Sequence, residues 1–213
     1  MVTCLGVVVD SELTFAAHIK RLAGRCFYQL RQLRTVRRAL STPAARTLVH
    51  AFIICRVDYC NSIFGSTCAV HLKPLQSVLN AAVHLIVKRR KYDHISDSLR
   101  DELHWLPVPY RHMTYKTCLF VYKCLHGAAP QYLRDQLTPV VSNTRHSGLR
   151  SADSRDLAYP RTKLVRSGPR SFSVAGPITW NTLSNDIRDP SLSYELFCTR
   201  LKTELFKRAY HTS

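Results

Sequence analysis

Cys55, Cys60, Cys68 and His71 place four soft donor side chains within a 17-residue span, the kind of donor set that tetrahedral zinc takes. Successive members are separated by four, seven and two residues, so the paired Cys-x2-Cys knuckle that marks a zinc module is missing. Cys55 also falls on a stretch with helical apolar spacing, where packing accounts for a small thiol. No metal site is expected. Carboxylate chemistry is no better provided for. Two-metal catalysis needs adjacent carboxylates to bridge a nucleophile and a phosphoryl group, and none of the ten Asp residues stands beside another. Asp97 and Asp101 are four apart, but Ser98, Leu99 and Arg100 between them make an ordinary amphipathic helix. Ser, His and Cys are plentiful, yet no G-x-S-x-G elbow, Walker-type phosphate loop or dinucleotide-binding glycine pattern occurs. Neither catalytic residues nor a cofactor are expected.

Positive charge is the chemistry that the chain does offer. Its 31 Lys and Arg against 14 Asp and Glu leave a net charge of +17, a surplus that attracts polyanions, of which nucleic acid is the commonest. Lys20, Arg21, Arg31, Arg34 and Arg38 share one segment, and Lys88, Arg89, Arg90 and Lys91 form a run. On a helix, Lys20, Arg31 and Arg38 fall on one side with Arg34 close by. Such side chains track a phosphate backbone, release counterions and read little sequence. The competing reading is a solvated helix face, with Lys88–Lys91 complementing a helix dipole or serving as a nuclear import signal. Arg145, Arg150, Arg155, Arg161, Lys163, Arg166 and Arg170 punctuate a later stretch. Trp105, Tyr110, Tyr132 and Trp180 offer faces on which bases stack, although their apolar neighbours favour core packing. His104 beside Trp105 is read as a packed histidine.

The elements that carry these residues follow from periodicity. CLGVVVD at residues 4–10 reads as a strand. Ile19, Leu22, Ala23, Cys26, Phe27, Leu30 and Leu33 form one apolar stripe and predict a helix from about His18 to Leu40. Ser41-Thr42-Pro43 predicts a second helix, capped by Thr42, with Leu48, Val49, Phe52 and Ile53 inward and an end near Asp58. Asn61, Ser62, Gly65 and Ser66 make a loop. A third helix from about His71 to Val87 buries Leu72, Leu75, Val78, Leu79, Ala82 and Ile86. Ser96 starts a short helix through Leu103, and Arg111–Leu125 is a buried helix stopped by Gly127. Residues 142–170 read as a long basic loop with a short strand at Asp156–Tyr159. Phe172, Val174, Ile178, Trp180 and Leu183 form a small apolar cluster. A last helix near Ser193–Ala209 presents Leu196, Phe197, Leu201 and Leu205.

At 213 residues the chain is long enough for one large domain or two small ones, either with a real core. The start MVTCLGVVVD has no basic segment before a long apolar one, so no secretory leader is expected. No apolar run approaches the length of a membrane span. The eight Cys are therefore expected as reduced thiols in an intracellular protein, nuclear or cytoplasmic.

RVDYCNS at Arg56–Ser62, LHWLPVPYR at Leu103–Arg111 and GPITWNTL at Gly176–Leu183, with LGVVVD at Leu5–Asp10 and RLKTELF at Arg200–Phe206, occur in this order along nearly the whole chain. Together they resemble the C-terminal region of a non-LTR, LINE-type (jockey-like) retrotransposon reverse transcriptase. The resemblance implies the end of the palm, the thumb and a C-terminal domain, beyond the family's catalytic carboxylates and its endonuclease. It places a primer-grip hairpin at the first segment, where Cys4 stands in place of the family's aromatic residue. The expected fold is mainly α: a residual palm strand at 1–15, a thumb-like three-helix bundle at 16–92, a helical connector at 93–141, the basic loop at 142–170 and a helical C-terminal segment at 171–213. The expected activity is non-specific binding of RNA or DNA backbone without catalysis. In the intact family protein the region belongs to an RNA-directed DNA polymerase used in target-primed reverse transcription. The alternative is a domesticated or decayed interaction module, with a protein partner on the apolar surface left by the missing palm.

Overall fold

The structure, a computed structural model, describes residues 1–64, 67–90, 92–140, 155–163 and 168–210, without the side chains of residues 111–113. Gly65, Ser66, Lys91, Arg145, Arg150 and Arg166 lie outside the described residues. The protein is mainly α-helical, as the apolar periodicity predicts. The chain divides into two compact units, Met1–Pro109 and Tyr110–Ser213. The expected connector at 93–141 straddles that boundary.

The first unit opens with a hairpin rather than a single strand. β1 (Val2–Cys4) pairs antiparallel with β2 (Val7–Val9) in the register Val2↔Val9, Cys4↔Val7. Leu5 and Gly6 between them both have positive φ, 46° and 81°, the requirement of a two-residue turn whose twist matches the strands. The arms are too short for a period-2 pattern to be read, and Leu is not a residue that announces a left-handed turn. Val7 and Val8 are buried, whereas β1 is exposed throughout. Val8 N donates to His18 Nδ1 at 3.1 Å, fastening the hairpin to the following helix. Asp10 organises the link: its carboxylate accepts from the backbone N–H groups of Glu12, Thr14 and Phe15 at 3.1, 2.9 and 2.8 Å.

α1 runs over Ala16–Val36 and buries His18, Ile19, Ala23, Cys26, Leu30 and Leu33. Leu22 is half-buried and Phe27, expected in the core, is 38% exposed. It follows Cys26 by one residue and so stands at the edge of the stripe. A tight turn at Arg37–Ala39 closes the helix. α2 (Thr42–Val49) is capped by Ser41, not Thr42. Ser41 has extended backbone and its hydroxyl accepts from Ala44 N at 3.3 Å. A wide π turn at His50–Ile54 joins α2 to α3 (Cys55–Asp58), so the helical run does end at Asp58. The extra residue in that turn shifts the apolar phase. The buried set is Ala45, Val49, Ile53, Ile54 and Val57, while Leu48 is half-buried and Phe52 exposed. α4 (Ala69–Val87) packs chiefly along α1 and buries all six residues predicted for it, together with Val83 and Leu85. Gln76 on α4 accepts from Val108 N at 2.9 Å, tying the segment that carries Trp105 back to the bundle. The expected short helix from Ser96 is present there, its Ser98–Glu102 part wound as a π turn.

The second unit starts from α5 (Lys116–Leu125), preceded by π-type backbone from Pro109. It ends at Gly127, φ 70°, with Ala128 N donating back to Lys123 O at 2.9 Å, the left-handed stop that glycine supplies. α6 (Gln131–Arg134) leads to β3 (Thr138–Pro139), which pairs with β4 (Leu157–Ala158) inside the stretch predicted as a strand. The apolar cluster near Trp180 is a helix, α7 (Phe172–Asn181), on which Ile178 points outward. A Cβ on its Gly176 would lie 3.2 Å from Val121 Cγ2, so glycine lets α7 approach α5 closely. Asn181 bridges to β4 by accepting from Leu157 N and donating to Leu157 O, each at 3.0 Å. α8 (Tyr194–Tyr210) buries Phe197, Leu201 and Leu205 and leaves Leu196 exposed. Tyr122 stacks on Phe197, with centroids 4.3 Å apart, and donates its hydroxyl to Leu192 O at 2.5 Å.

Candidate nucleic-acid interface

Side by side in the first unit, the C-terminal halves of α1 and α4 enclose an open groove of about 1050 Å³. Its walls have a common logic. Phe27, Arg31, Arg34 and Arg38 recur at steps of four, three and four along α1 and its closing turn. Ala81, Leu85 and Lys88 recur at four and three along α4. Each series lies on one helical face, and each passes from apolar to cationic toward the C-terminal end. Leu30 and Leu85, both buried, form the floor with Phe27 and Ala81, while Arg31, Arg34, Arg38, Lys88 and Arg89 stand exposed around it.

Arg37 makes this arrangement possible. It is 6% exposed, and its guanidinium donates to Leu85 O and Ile86 O, each at 2.7 Å, to Leu40 O at 2.8 Å and to Thr42 Oγ1 at 3.4 Å. The last carbonyls of a helix have no intrahelical partner and carry its negative pole. Arg37 takes up two of them at the end of α4, so the cationic end of the groove is not offset by exposed carbonyls there. Arg37 is not among the site residues expected from the sequence, which are read as exposed charges. Its position four residues after Leu33, on the apolar stripe, was the signal.

Among the described residues no carboxylate lines the groove with these cations. Asp58 is the only acidic residue between Glu12 and Asp93, and it accepts from Asn61 Nδ2 at 3.3 Å. The side chains of Arg31, Arg34, Arg38 and Lys88 make no hydrogen bond or ion pair among the described residues. Arg89 gives one donor to His94 O at 2.8 Å, and Arg90 N donates to Asp93 Oδ2 at 2.7 Å. Cations without local counter-charge in a concave site focus a positive field outward.

Of the residues singled out in the sequence, the groove brings together Arg31, Arg34, Arg38, Lys88 and Arg89. Lys20 and Arg21 are exposed on α1 but lie outside it, about 15 Å or more along the helix from Arg31. Arg90 is exposed beyond the groove lining, and Lys91 lies outside the described residues. In the second unit Arg155 stands 3.5 Å from Asp189, and Arg161 and Lys163 are exposed. The aromatic residues weighed for stacking are mostly structural: Trp105 and Trp180 are buried, Tyr110 donates to Arg208 O at 3.4 Å, and only Tyr132 is well exposed. Phe27 and His84 also line the groove and were not anticipated there.

The other candidate chemistries find no support in this geometry. Cys55 lies 3.8 Å from His50 Nδ1, and among the described residues no group of three or more His, Cys, Asp or Glu stands close enough to hold a metal. Asp97 and Asp101 both pair with Arg100, at 3.4 and 2.8 Å. All eight cysteines are free thiols. No helix among the described residues is long and apolar enough to cross a membrane. Comparison with family models, with curated proteins and with solved structures found no match.

Proposed function

We propose that this chain binds nucleic acid without sequence preference through the groove between α1 and α4, as a non-catalytic piece of a non-LTR retrotransposon reverse transcriptase. One observation carries the binding reading. Cations separated by about fifty positions in sequence converge on one concave surface, and no carboxylate is among its described lining residues. Arg31, Arg34 and Arg38 span roughly 10 Å along the helix, the length over which one DNA strand presents about three phosphates. The family reading rests on the ordered motifs. The hairpin at Val2–Val9, in the place where the resemblance expects a primer grip, and the helices α1 to α4 that follow it are in keeping with that reading.

The test is a salt-titrated binding assay with single-stranded, duplex and hybrid probes. Micromolar or tighter binding at about 50 mM salt, falling steeply as salt rises, is the expected result. No binding at that salt would remove the proposal. The second reading, a protein-interaction module, draws on one feature. β1 is exposed throughout, and Met1, Val2 and Leu5 stand 85, 69 and 82% exposed. That reading takes over if polyanion binding is absent and Val2→Lys with Leu5→Lys abolishes self-association or partner capture.

A further inference from the structure

We infer that the groove between α1 and α4 takes single-stranded nucleic acid in preference to duplex, with an unpaired base lying on the Phe27 ring. The inference rests on the phosphate-binding reading above and adds what the floor of the groove recognises.

Phe27 is 38% exposed and lines the groove at its apolar end. Ala81 is the smallest side chain that α4 contributes to the same groove, and Leu30 and Leu85, which also line it, are buried. Phe27 sits one turn before Arg31, two before Arg34 and three before Arg38 on the same face. An aromatic platform therefore stands in line with three guanidinium groups. Sequence-tolerant single-strand sites combine those two parts: a cationic track for the backbone and aromatic faces for the bases.

Size and chemistry separate the two possible occupants. Packed helices lie about 8–10 Å apart axis to axis, and a double helix, whose major groove alone is about 12 Å wide, cannot descend between them. A duplex would rest its phosphates on Arg31, Arg34, Arg38 and Lys88 and leave the Phe27 floor unused, because its bases already stack on one another. An unpaired strand uses both ends of the groove. Its phosphates meet the cationic end, and a base replaces water on the ring of Phe27 with no change of hydrogen bonding. Because a ring face accepts any base, the preference is for strandedness rather than sequence.

The experiment uses the full chain and four fluorescent 12-residue probes at one salt concentration: single-stranded RNA, single-stranded DNA, duplex of the same sequence, and a single strand of abasic sites. The abasic strand keeps every phosphate and offers no base face. The intact single strands should bind about 5- to 150-fold tighter than the abasic strand, the range that stacking of one base supplies. Phe27→Leu, which keeps an apolar side chain but removes the ring, should erase that gap while duplex and abasic affinities stay unchanged. A gap with RNA or with DNA supports the inference, and the two arms identify the sugar that is preferred. Wild-type chain that binds intact and abasic strands equally overturns it and leaves the phosphate reading standing. Loss of binding to every probe overturns both. The wild-type comparison does not depend on whether the Phe27→Leu variant folds.

Discussion

Arg37 and Leu85 are joined by a 2.7 Å hydrogen bond from the guanidinium Nε to the main-chain carbonyl. This contact fixes where α1 ends relative to where α4 ends. With the bonds to Ile86, Leu40 and Thr42, it makes Arg37 a structural part of the groove, in contrast to the exposed Arg38 beside it. Arg37→Met should therefore lower stability by about 2–3 kcal/mol, since it leaves several acceptors without their charged donor. Arg38→Met should change stability by under about 0.5 kcal/mol. Urea unfolding of the two variants checks the contrast. Equal midpoints would mean that Arg37 does not brace the helices.

Charge reversal distinguishes the groove from the rest of the basic surface. Arg31→Glu, Arg34→Glu and Arg38→Glu together should weaken binding uniformly across probe sequences. They should also flatten the salt dependence for single strands by about two units of slope, three phosphate contacts at roughly 0.7 each. Lys20→Glu with Arg21→Glu should change that slope far less, because both lie outside the groove. Similar losses from both sets would show that binding follows net charge alone.

Two groups near the hairpin set an acid sensitivity in separate pH ranges. Burial, helped by Arg21 and Arg25, holds the His18 ring below its ordinary 6.5. The neutral ring accepts from Val8 N, and protonation removes that acceptor. Its stabilising contribution is full above 6.5 and disappears as pH falls through the lowered value. Asp10 is held below its ordinary 3.8 chiefly by the Thr14 backbone N–H, with further hydrogen bonds from the Thr14 hydroxyl and the Phe15 and Glu12 backbones. Its contribution is present above 3.8 and vanishes on further acidification. Unfolding midpoints measured from pH 8 to pH 3 should fall in two steps. His18→Gln should flatten the first step and Asp10→Asn the second.

Thiol reactivity maps the cores of both units. Burial pushes Cys26 up to about 11 and Cys118 up to about 12, and a thiol is reactive only as the thiolate. Cys4, Cys55 and Cys68 are exposed. A thiol-specific reagent at pH 8 should modify those three in native protein and reach Cys26 and Cys118 only in denaturant, as read by mass spectrometry of the peptides. Rapid native labelling of Cys118 would contradict the packing of α5.

Periodicity was a sound guide where the helix is regular and failed where the backbone departs from it. On α4 the predicted inward residues are all buried. Along α2 and the turn after it, Val49 and Ile53 are buried as predicted, but Leu48 is half-buried, Phe52 is exposed and Ile54 turns inward, because the π turn at His50–Ile54 adds a residue that no side chain announces. α7 falls in the segment expected to be helical at 171–213, but only an apolar cluster was placed at its residues. Gly176-Pro177 reads as a break in sequence, yet glycine is needed there for the approach to Val121, and packing overrides the propensity. For the candidate site, the two cationic segments were legible separately as exposed charge. That they border one groove depends on α1 lying against α4, a tertiary relationship carried partly by buried Arg37. Phe27 was assigned to the core because its spacing there is indistinguishable from that of a buried residue.

Asp58 standing alone between Glu12 and Asp93 has a further consequence. A bundle with so little negative charge of its own must draw its neutralising ions from the medium, and its self-repulsion is relieved only as they condense on it. The ionic surroundings are then part of the fold: a polyanion that prefers the assembled helices raises the melting temperature by mass action. Polyphosphate or heparin added to nucleic-acid-free protein should stabilise it in thermal melts, and chloride at the same ionic strength should do much less.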